Sequence, residues 1–581
     1  MKTLLIQPPI RDFYQTSVRT QPIGLAYLAA ALRAGGHEVE LLDCRTETRK
    51  PIPIPAELSY LRDFYPFHDR SPFKLFTGYY HFGMGWNEIR ERIVGSKAEV
   101  FGISSSFTPY HAEAVKIAQI IKEWDEHKVT ILGGAHVSCD PEGVLKSPSV
   151  DYVVLGEGEW RLPSLLDRIR KGRIPKVDDL DGIGYRVNGK TRVNPLSTFI
   201  EDLDRLPHPA RDLLDPDRYR AEMKRSTMII TSRGCPHGCA YCSSHLIMGG
   251  SFRARSPEAV LREMVDCQKR LGIQIFDIED DNFTFDKERA KRLMKLVIEA
   301  FGDQTGQATA GVELTAMNGI SFASLDGELL KLMKKAGFQA INLSFVSSEA
   351  STKERLKRPS PVIDFDRILQ EAERVGFRVV AYGIFGMPGQ SLEEMVKTVI
   401  YLMGKRVLIG PSVYYPTPGT SLFFRCKKDG SLPPHSSQWR SSAFPIETED
   451  FNRVDMVTLL RLVRAVNFIK GKMDTRVLRE GMTLKELFQT LQRERRTDLP
   501  EPCSVPSLRN VSGGKPYAPC DPKDIAPWVD LLLLLPREKA FFSLRKGSPG
   551  HLSFVKEKSS KRILDYFFEM AWDRPIVKSR P

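Results

Sequence analysis

Three cysteines crowd into eight residues, Cys235, Cys239 and Cys242, within Thr231-Ser232-Arg233-Gly234-Cys235-Pro236-His237-Gly238-Cys239-Ala240-Tyr241-Cys242. Thiolates at Cys-x3-Cys-x2-Cys spacing on one tight loop can face one corner of a cubane iron–sulfur cluster. Gly234 and Gly238 permit the turns and Pro236 stiffens them. A [4Fe–4S] cluster ordinarily takes four cysteines. Three leave one iron open, and an open metal position is a substrate position. The competing reading is a zinc knuckle completed by His237 or His245. Against it, His237 lies inside the loop and no second Cys/His pair follows.

Other candidates sit where strands should end. Gln7-Pro8-Pro9, Ser104-Ser105-Ser106, Gly133-Gly134-Ala135-His136 and Gly156-Glu157-Gly158 are rich in small residues, which let a large planar ligand approach the backbone. An acidic run, Asp277-Ile278-Glu279-Asp280-Asp281, leads into Asn282-Phe283-Thr284 and reads either as a cation-binding rim or as solvated acids before a capped helix. Gly383-Ile384-Phe385-Gly386-Met387-Pro388-Gly389 is, as bare chemistry, a strand-to-turn signal.

Two strand–helix rhythms must position these residues. In residues 1–160, strands are expected at 2–7, 38–43, 100–105, 129–132 and 152–155, with helices at 23–33 and 111–122 and an aromatic-rich insertion after the second strand. Such alternation predicts a Rossmann-like open parallel sheet, with ligands beyond the carboxyl ends of its strands. Residues 161–222 read as a connector carrying a hairpin with Asn188-Gly189 at its tip. In residues 223–425, six strand–helix repeats predict a partial (β/α)6 barrel of TIM type. Its strands are expected at 227–231, 273–278, 312–316, 340–345, 379–385 and 409–415. Residues 426–581 read as mainly helical and irregular, with a Pro-, Ser- and Gly-rich linker at 497–527.

Composition narrows the class. The chain has 581 residues, enough for several domains. Its formal charge is +13, with eleven Lys/Arg against five Asp/Glu from Arg537 to Pro581. No base-reading motif accompanies that charge, so a solvated basic tail is preferred to a nucleic-acid surface. Six of the nine cysteines are scattered, unlike a secreted disulfide scaffold. No apolar run reaches the ~18 residues of a membrane span, and the start lacks a signal-peptide layout. A cytoplasmic, reducing location is expected.

The cysteine motif, with an aromatic before its last cysteine and at the end of a first barrel strand, resembles the radical S-adenosylmethionine (SAM) superfamily. The run Arg253-Ala254-Arg255-Ser256-Pro257-Glu258 and the Asp280-Asp281-Asn282-Phe283-Thr284 strand end are similar to that family as well. The amino-terminal region resembles the cobalamin-binding domain found ahead of the barrel in one large subgroup. The matching residues are Gln7-Pro8-Pro9, Pro22–Ala30, Gly35-Gly36-His37-Glu38-Val39, Gly133–His136 and Gly156-Glu157-Gly158-Glu159. The resemblance implies that Cys235, Cys239 and Cys242 ligate a [4Fe–4S] cluster whose open iron chelates SAM. Reductive cleavage would then give a 5′-deoxyadenosyl radical that takes hydrogen from substrate. It implies Tyr241 near the adenine, Asp280 and Asp281 near the SAM ammonium, and Gly383 and Gly386 against the adenine or methionine end. Gln7, Pro8, Ser104, Ser105, Gly133, Gly134, His136, Gly156, Glu157 and Gly158 are implied around cobalamin. Two departures stand out. Asn342–Ser348 replaces the Gly-Val-Glu-Ser whose Glu meets the ribose, leaving Ser344 or Ser347 as candidates. The Asp-x-His-x-x-Gly loop that supplies a cobalt ligand in other cobalamin proteins is absent, and His136 and His37 are read as non-ligands.

The implied function is a cobalamin-dependent radical SAM enzyme, with methylation of an unactivated carbon of a small molecule the leading reaction. It would take its electron from a donor such as flavodoxin or ferredoxin. Ring formation or another radical rearrangement would use much the same parts. A methylthiotransferase would need three more cluster cysteines, and the amino-terminal region offers only Cys44 and Cys139. A non-catalytic cobalamin or redox sensor fits the complete cysteine spacing less well. Residues 440–581 are expected to help build the substrate pocket or a lid.

Overall fold

The computed structural model describes residues 1–14, 21–45, 48–65, 68–171, 179–221, 223–302, 311–358, 361–494, 525–546 and 552–581. Residues 497–524 of the expected linker, including Cys503 and Cys520, lie outside this set.

Strands β1 (Lys2–Gln7), β2 (Glu38–Asp43), β3 (Val100–Ser104), β4 (Val129–Gly133) and β5 (Tyr152–Val154) are parallel. The hairpin β6 (Ile183–Val187) and β7 (Lys190–Val193) adds to β5 antiparallel. The sheet order is β7-β6-β5-β4-β3-β1-β2. The chain leaves β1 to one side for β2 and returns to the other side for β3. The crevice where the strand order reverses therefore lies at the carboxyl ends of β1 and β3, at Gln7 and Ser104. Such crevices are where open α/β sheets bind ligands. Pairing fixes this register along the whole of β1, from Lys2 opposite Glu38 to Gln7 opposite Asp43. The hairpin expected in the connector forms with Asn188 and Gly189 both at positive φ, and it is the edge of this first sheet.

The second rhythm builds strands β8 (Lys224–Ile229), β9 (Ile275–Ile278), β10 (Glu313–Thr315), β11 (Ala340–Val346), β12 (Arg378–Phe385) and β13 (Leu408–Val413). All neighbouring pairs are parallel, and the bridges Leu314–Phe338 and Ile320–Leu343 join the two halves into an open arc of six strands. Helices Pro257–Leu271, Lys287–Phe301, Gly327–Lys335, Val362–Val375 and Leu392–Met403 follow in turn. Several start at a local cap: Ser256, Asp286, Asp326 and Ser391 each accept a hydrogen bond from the first turn.

The carboxyl-terminal part closes this arc. On the helix Arg453–Asp474, the Asn467 amide donates to Ile409 O (2.8 Å) and accepts from Ile409 N (3.0 Å), satisfying the edge of β13 as another strand would. The Lys470 ammonium donates to Leu402 O, Lys405 O and Val407 O, the carbonyls that end the preceding helix. Leu532–Leu535, ambiguous in the sequence, is helical within Ile525–Glu538, and a hairpin Phe542–Lys546/Leu552–Lys556 interrupts the helical tail. The segment between β2 and β3 divides: Met84, Ile89 and Ile93 pack on the first sheet, while its earlier aromatics, with Phe13 from the loop after β1, turn to the barrel. Phe13, Tyr65, Phe73 and Tyr79 join the barrel's core, with Tyr65 against Phe444 and Phe73 against Phe468 and Phe541. Among the described residues no helix is long and apolar enough to cross a membrane.

Candidate active site

The cysteine loop starts where β8 ends. Thr231 donates to Asp280 from both its backbone N–H (2.6 Å) and its hydroxyl (2.5 Å), and the Ser232 hydroxyl donates to the same carboxylate (2.7 Å). Asp280 is 4% exposed. Burial pushes its carboxyl upward while these donors oppose the shift. Asp281 accepts from Gly234 N (2.9 Å) and the Ser244 hydroxyl (2.6 Å). In this structure the oxygens of both acids brace the two ends of the cysteine loop. Gly234 has φ +81°, and a Cβ there would collide with the Ser251 carbonyl, so the loop needs a glycine at this point.

Two side chains aim donors at the thiols. Asn282 Nδ2 is 3.8 Å from Cys235 Sγ, and Arg358 Nη1 is 3.7 Å from Cys239 Sγ. Arg358 also lies 3.5 Å from the Tyr241 hydroxyl and donates to Ser344 Oγ at 3.0 Å. Neither Asn282 nor Arg358 was assigned a role from the sequence. Arg358 lies 119 residues beyond Cys239, and no local pattern marks it. Burial pushes the Cys242 thiol up to about 11, so a bound metal's charge is what would hold it as a thiolate. Among the described residues no three His, Cys, Asp or Glu side chains converge on a single-ion site.

Ser344 and Ser347 part company. Ser344 faces Arg358 and keeps its proton available to donate. Ser347 lies beyond a bulge at Val346 (φ +72°), is buried, caps Glu349 N and meets Thr398 on the outer helix. Gly383 belongs to the outward face of β12, with Ala381 and Phe385, and a Cβ there would meet the Phe385 ring. A Cβ on Gly386 would meet Met456. At both positions a side chain would crowd the packing.

At the carboxyl ends of the first sheet the candidates do converge. The Gln7 amide spans Ser104 Oγ and Arg45 Nε, each at 3.2 Å, and Arg45 also donates to Pro8 O. Ser105 N donates to Gly133 O (2.7 Å) and His136 N to Ser105 O (3.0 Å). Gly134 (φ +110°) presses so closely on Ser105 that a Cβ would come within 2.9 Å of its carbonyl oxygen. Behind this floor the His111 and His136 rings lie 4.4 Å apart, with Nδ1 of each held by Ser105 Oγ (3.0 Å) and Thr108 Oγ1 (3.1 Å). Burial lowers them to about 3 and 4, so both are neutral at pH 7. Gly156, Glu157 and Gly158 follow β5 at the same end of the sheet. The Glu157 side chain is fully buried among Arg233, Arg253 and Ile200 N, and Gly158 opens the helix Gly158–Arg170 against Leu28.

The two halves of the site meet. The helix Ala135–Cys139 packs on the helix Ser244–Met248, which follows Cys242 directly in the chain. Tyr415 leaves 41% of its surface exposed next to the cysteine loop, and burial of its hydroxyl together with Cys242 raises its pKa. The Tyr14 hydroxyl is raised by burial, Asp12 and Tyr415, and its ring meets Phe76 edge-on at 5.7 Å.

Comparison with known proteins agrees with both halves. Residues 229–402 match the Radical SAM superfamily and residues 79–166 the B12 binding domain. An uncharacterised methyltransferase of Pyrococcus horikoshii is 27% identical over 430 residues, 73% of this chain and 82% of the relative. The cytidylyl-2-hydroxyethylphosphonate methyltransferase of Streptomyces wedmorensis is 26% identical over 482 residues, 76% and 84% of the two chains. An anaerobic magnesium-protoporphyrin IX monomethyl ester cyclase of Rubrivivax gelatinosus is 27% identical over 345 residues, 58% and 60% of the two. The fold is that of the radical SAM methyltransferase TsrM from Kitasatospora setae, solved with cobalamin and a [4Fe–4S] cluster. The TM-score is 0.56 at 18% identity, over 74% of this chain and 78% of that one.

Proposed function

This chain belongs to the radical SAM enzymes that carry an amino-terminal cobalamin-binding domain, and from that premise we propose that it methylates an unactivated carbon of a small molecule. The cofactors of the family, when bound, supply SAM cleavage to a carbon radical and a cobalt-borne methyl group. The chain's own residues bind, orient and enclose them. Cys235, Cys239 and Cys242 hold the cluster, with Asn282 and Arg358 donating toward its sulfurs. Tyr241 and Ser344, both joined to Arg358, face the adenosyl side, and Ser344 offers its proton to a ribose oxygen. Gln7, Pro8, Ser104, Ser105, Gly133, Gly134 and His136 form the corrin floor.

One observation carries the reading: the helix Ala135–Cys139, which continues the corrin floor, packs on the helix Ser244–Met248, which follows Cys242 in the chain. A methyl donor and a radical source on adjoining elements can act on opposite sides of one carbon. Ring formation needs no such methyl donor. The electron must come from a reductant of the flavodoxin or ferredoxin class, so we read the protein as working in the cytoplasm.

The test is cofactor content after anaerobic reconstitution with iron, sulfide and hydroxocobalamin. About four irons and one cobalamin per chain are expected, with reductive SAM cleavage lost in Cys235→Ala, Cys239→Ala and Cys242→Ala. Cluster and cleavage without cobalamin would remove methyl transfer. Full cleavage by the cysteine variants would remove the cluster assignment.

A further inference from the structure

Arg233 stands two residues before Cys235, and its guanidinium is held by carboxylates of the other domain. Arg233 Nη1 lies 2.8 Å from Glu157 Oε1, and Nη2 lies 2.6 Å from Glu159 Oε1. Arg253 pairs with Arg233 on the adjacent short strand, and its Nη1 lies 2.8 Å from Glu157 Oε2 and 3.0 Å from Oε1. Glu157 Oε2 also accepts from Ile200 N at 2.7 Å, and Arg253 donates to Ile200 O and Met248 O. The Tyr27 ring covers Arg233 and the Phe199 ring covers Arg253, each at 5.3 Å. All four charged side chains are at least nine-tenths buried.

The set holds two cations and two anions, so it is neutral as a whole. Well-packed apolar residues would give comparable stability. What a satisfied buried network adds is a single geometry, because each displacement leaves a desolvated charge unpaired. Glu157 and Glu159 stand at the turn between β5 and the helix Gly158–Arg170, in the domain that carries the corrin floor. Arg233 joins that turn through a three-residue stretch of backbone to the first cluster thiolate. Asp280 and Asp281 fix the loop to the barrel, and Glu157 and Glu159 fix it to the other domain.

On the proposed function, both cofactors must address one substrate carbon, and a misplacement of ~1 Å at reacting atoms costs about 100-fold in rate. We propose that the Glu157/Glu159–Arg233/Arg253 clamp sets the distance between cobalt and the iron–sulfur cluster, which makes Glu157 and Arg233 positioning residues. The inference rests on that function, because it needs both cofactors in one chain.

The test uses the reconstituted holoenzyme and no substrate. Cob(II)alamin and the reduced cluster are both paramagnetic, so their dipolar coupling in pulsed electron paramagnetic resonance reports their separation. Wild type should give one narrow distance distribution. Glu157→Gln should keep both cofactors and at least double the width of that distribution. Glu159→Gln, which alters one link to Arg233, should broaden it less and decides the question if Glu157→Gln fails to fold. Wild-type distributions in every folded variant that holds both cofactors would overturn the clamp and leave the proposed function standing. A wild-type chain that takes up no cobalamin would overturn both.

Discussion

Asp280 receives both the backbone N–H and the hydroxyl of Thr231, and so ties the end of β9 to the root of the cysteine loop. The geometry needs a carboxylate, since all three donors on it, Ser232 included, point inward to acceptor oxygens. Asp280→Asn replaces one acceptor with an amide donor. One buried donor then loses its partner, at about 1–3 kcal/mol. The variant should unfold at lower urea than wild type. Its iron content after reconstitution should fall by more than half, because the loop no longer starts in a fixed place. A variant with full iron content would sink this role.

Arg358 is the one cation within hydrogen-bonding reach of a cluster thiol among the described contacts, 3.7 Å from Cys239 Sγ. Positive charge beside a cluster favours the reduced state, whose net charge is more negative. Arg358→Gln should therefore lower the midpoint potential on the order of 100 mV, the Coulomb energy of one unit charge at an effective dielectric of about 20. Arg358→Lys keeps the charge and should lower it less. Redox titration followed by electron paramagnetic resonance measures both. Equal potentials in all three proteins would show that the guanidinium is neutralised or displaced once the cluster is in place.

The carboxyl-terminal part is fastened to the amino-terminal segment by Arg440 and Asp12, 3.1 Å apart and almost fully buried. Asp12 also accepts from the Ser442 hydroxyl (2.9 Å) and the Tyr110 hydroxyl (2.6 Å), while Arg440 donates to Arg11 O and Pro109 O. Arg440→Ala leaves a buried carboxylate without its counter-ion and should cost about 3–5 kcal/mol. Asp12→Asn with Arg440→Met removes both charges and should cost less than Arg440→Ala alone. Urea unfolding of the variants gives the comparison. A double variant weaker than the single would show that the pair adds stability outright rather than requiring its own completeness.

Elements with local causes were legible in the sequence. β1 and β2 fall on the expected 2–7 and 38–43, and the helix Pro257–Leu271 begins at its Ser256 cap and ends at Gly272 in the left-handed region. Strand-end placement of Gln7, Ser104, Ser105, Gly133 and Gly134 followed from the same alternation. What local pattern could not supply was which partner each residue finds across the fold. The ion pairs of Glu157 come from Arg233 and Arg253, 76 and 96 residues away. Asp280 looked like a rim acid until Thr231 arrived 49 residues away. Gly383 and Gly386 read as a strand-to-turn signal, and nothing local announced that Phe385 and Met456 would pack against them. Ser344, on β11, and Ser347, just past its end, are separated by the bulge at Val346, which strand alternation alone does not foresee.

A last prediction concerns Asp277 and Glu279, successive inward positions on β9 and its continuation. Thr315 Oγ1 (2.7 Å) and Met317 N (3.3 Å) donate to Asp277. Burial, and then the neighbouring Asp277 carboxylate, raise Glu279 to about 8. At pH 7 the pair therefore carries one proton on Glu279. The folded value lies above the ordinary carboxyl value, so the folded protein holds a proton that the unfolded chain releases. That contribution to stability is complete below the unfolded value and is lost as pH rises through the folded one, at about 1.4 kcal/mol per pH unit between the two. Lys470, lowered by burial to about 7, acts with the opposite sign: its effect makes stability rise with pH between 7 and its ordinary value. The Glu279 effect must therefore be read as a difference between proteins. In urea unfolding from pH 5 to 8, wild type should lose stability relative to Glu279→Gln by that slope, and above pH 9 the difference should be constant. Parallel curves over the whole range would mean that Glu279 is ionised in the folded protein and that the pair does not share a proton.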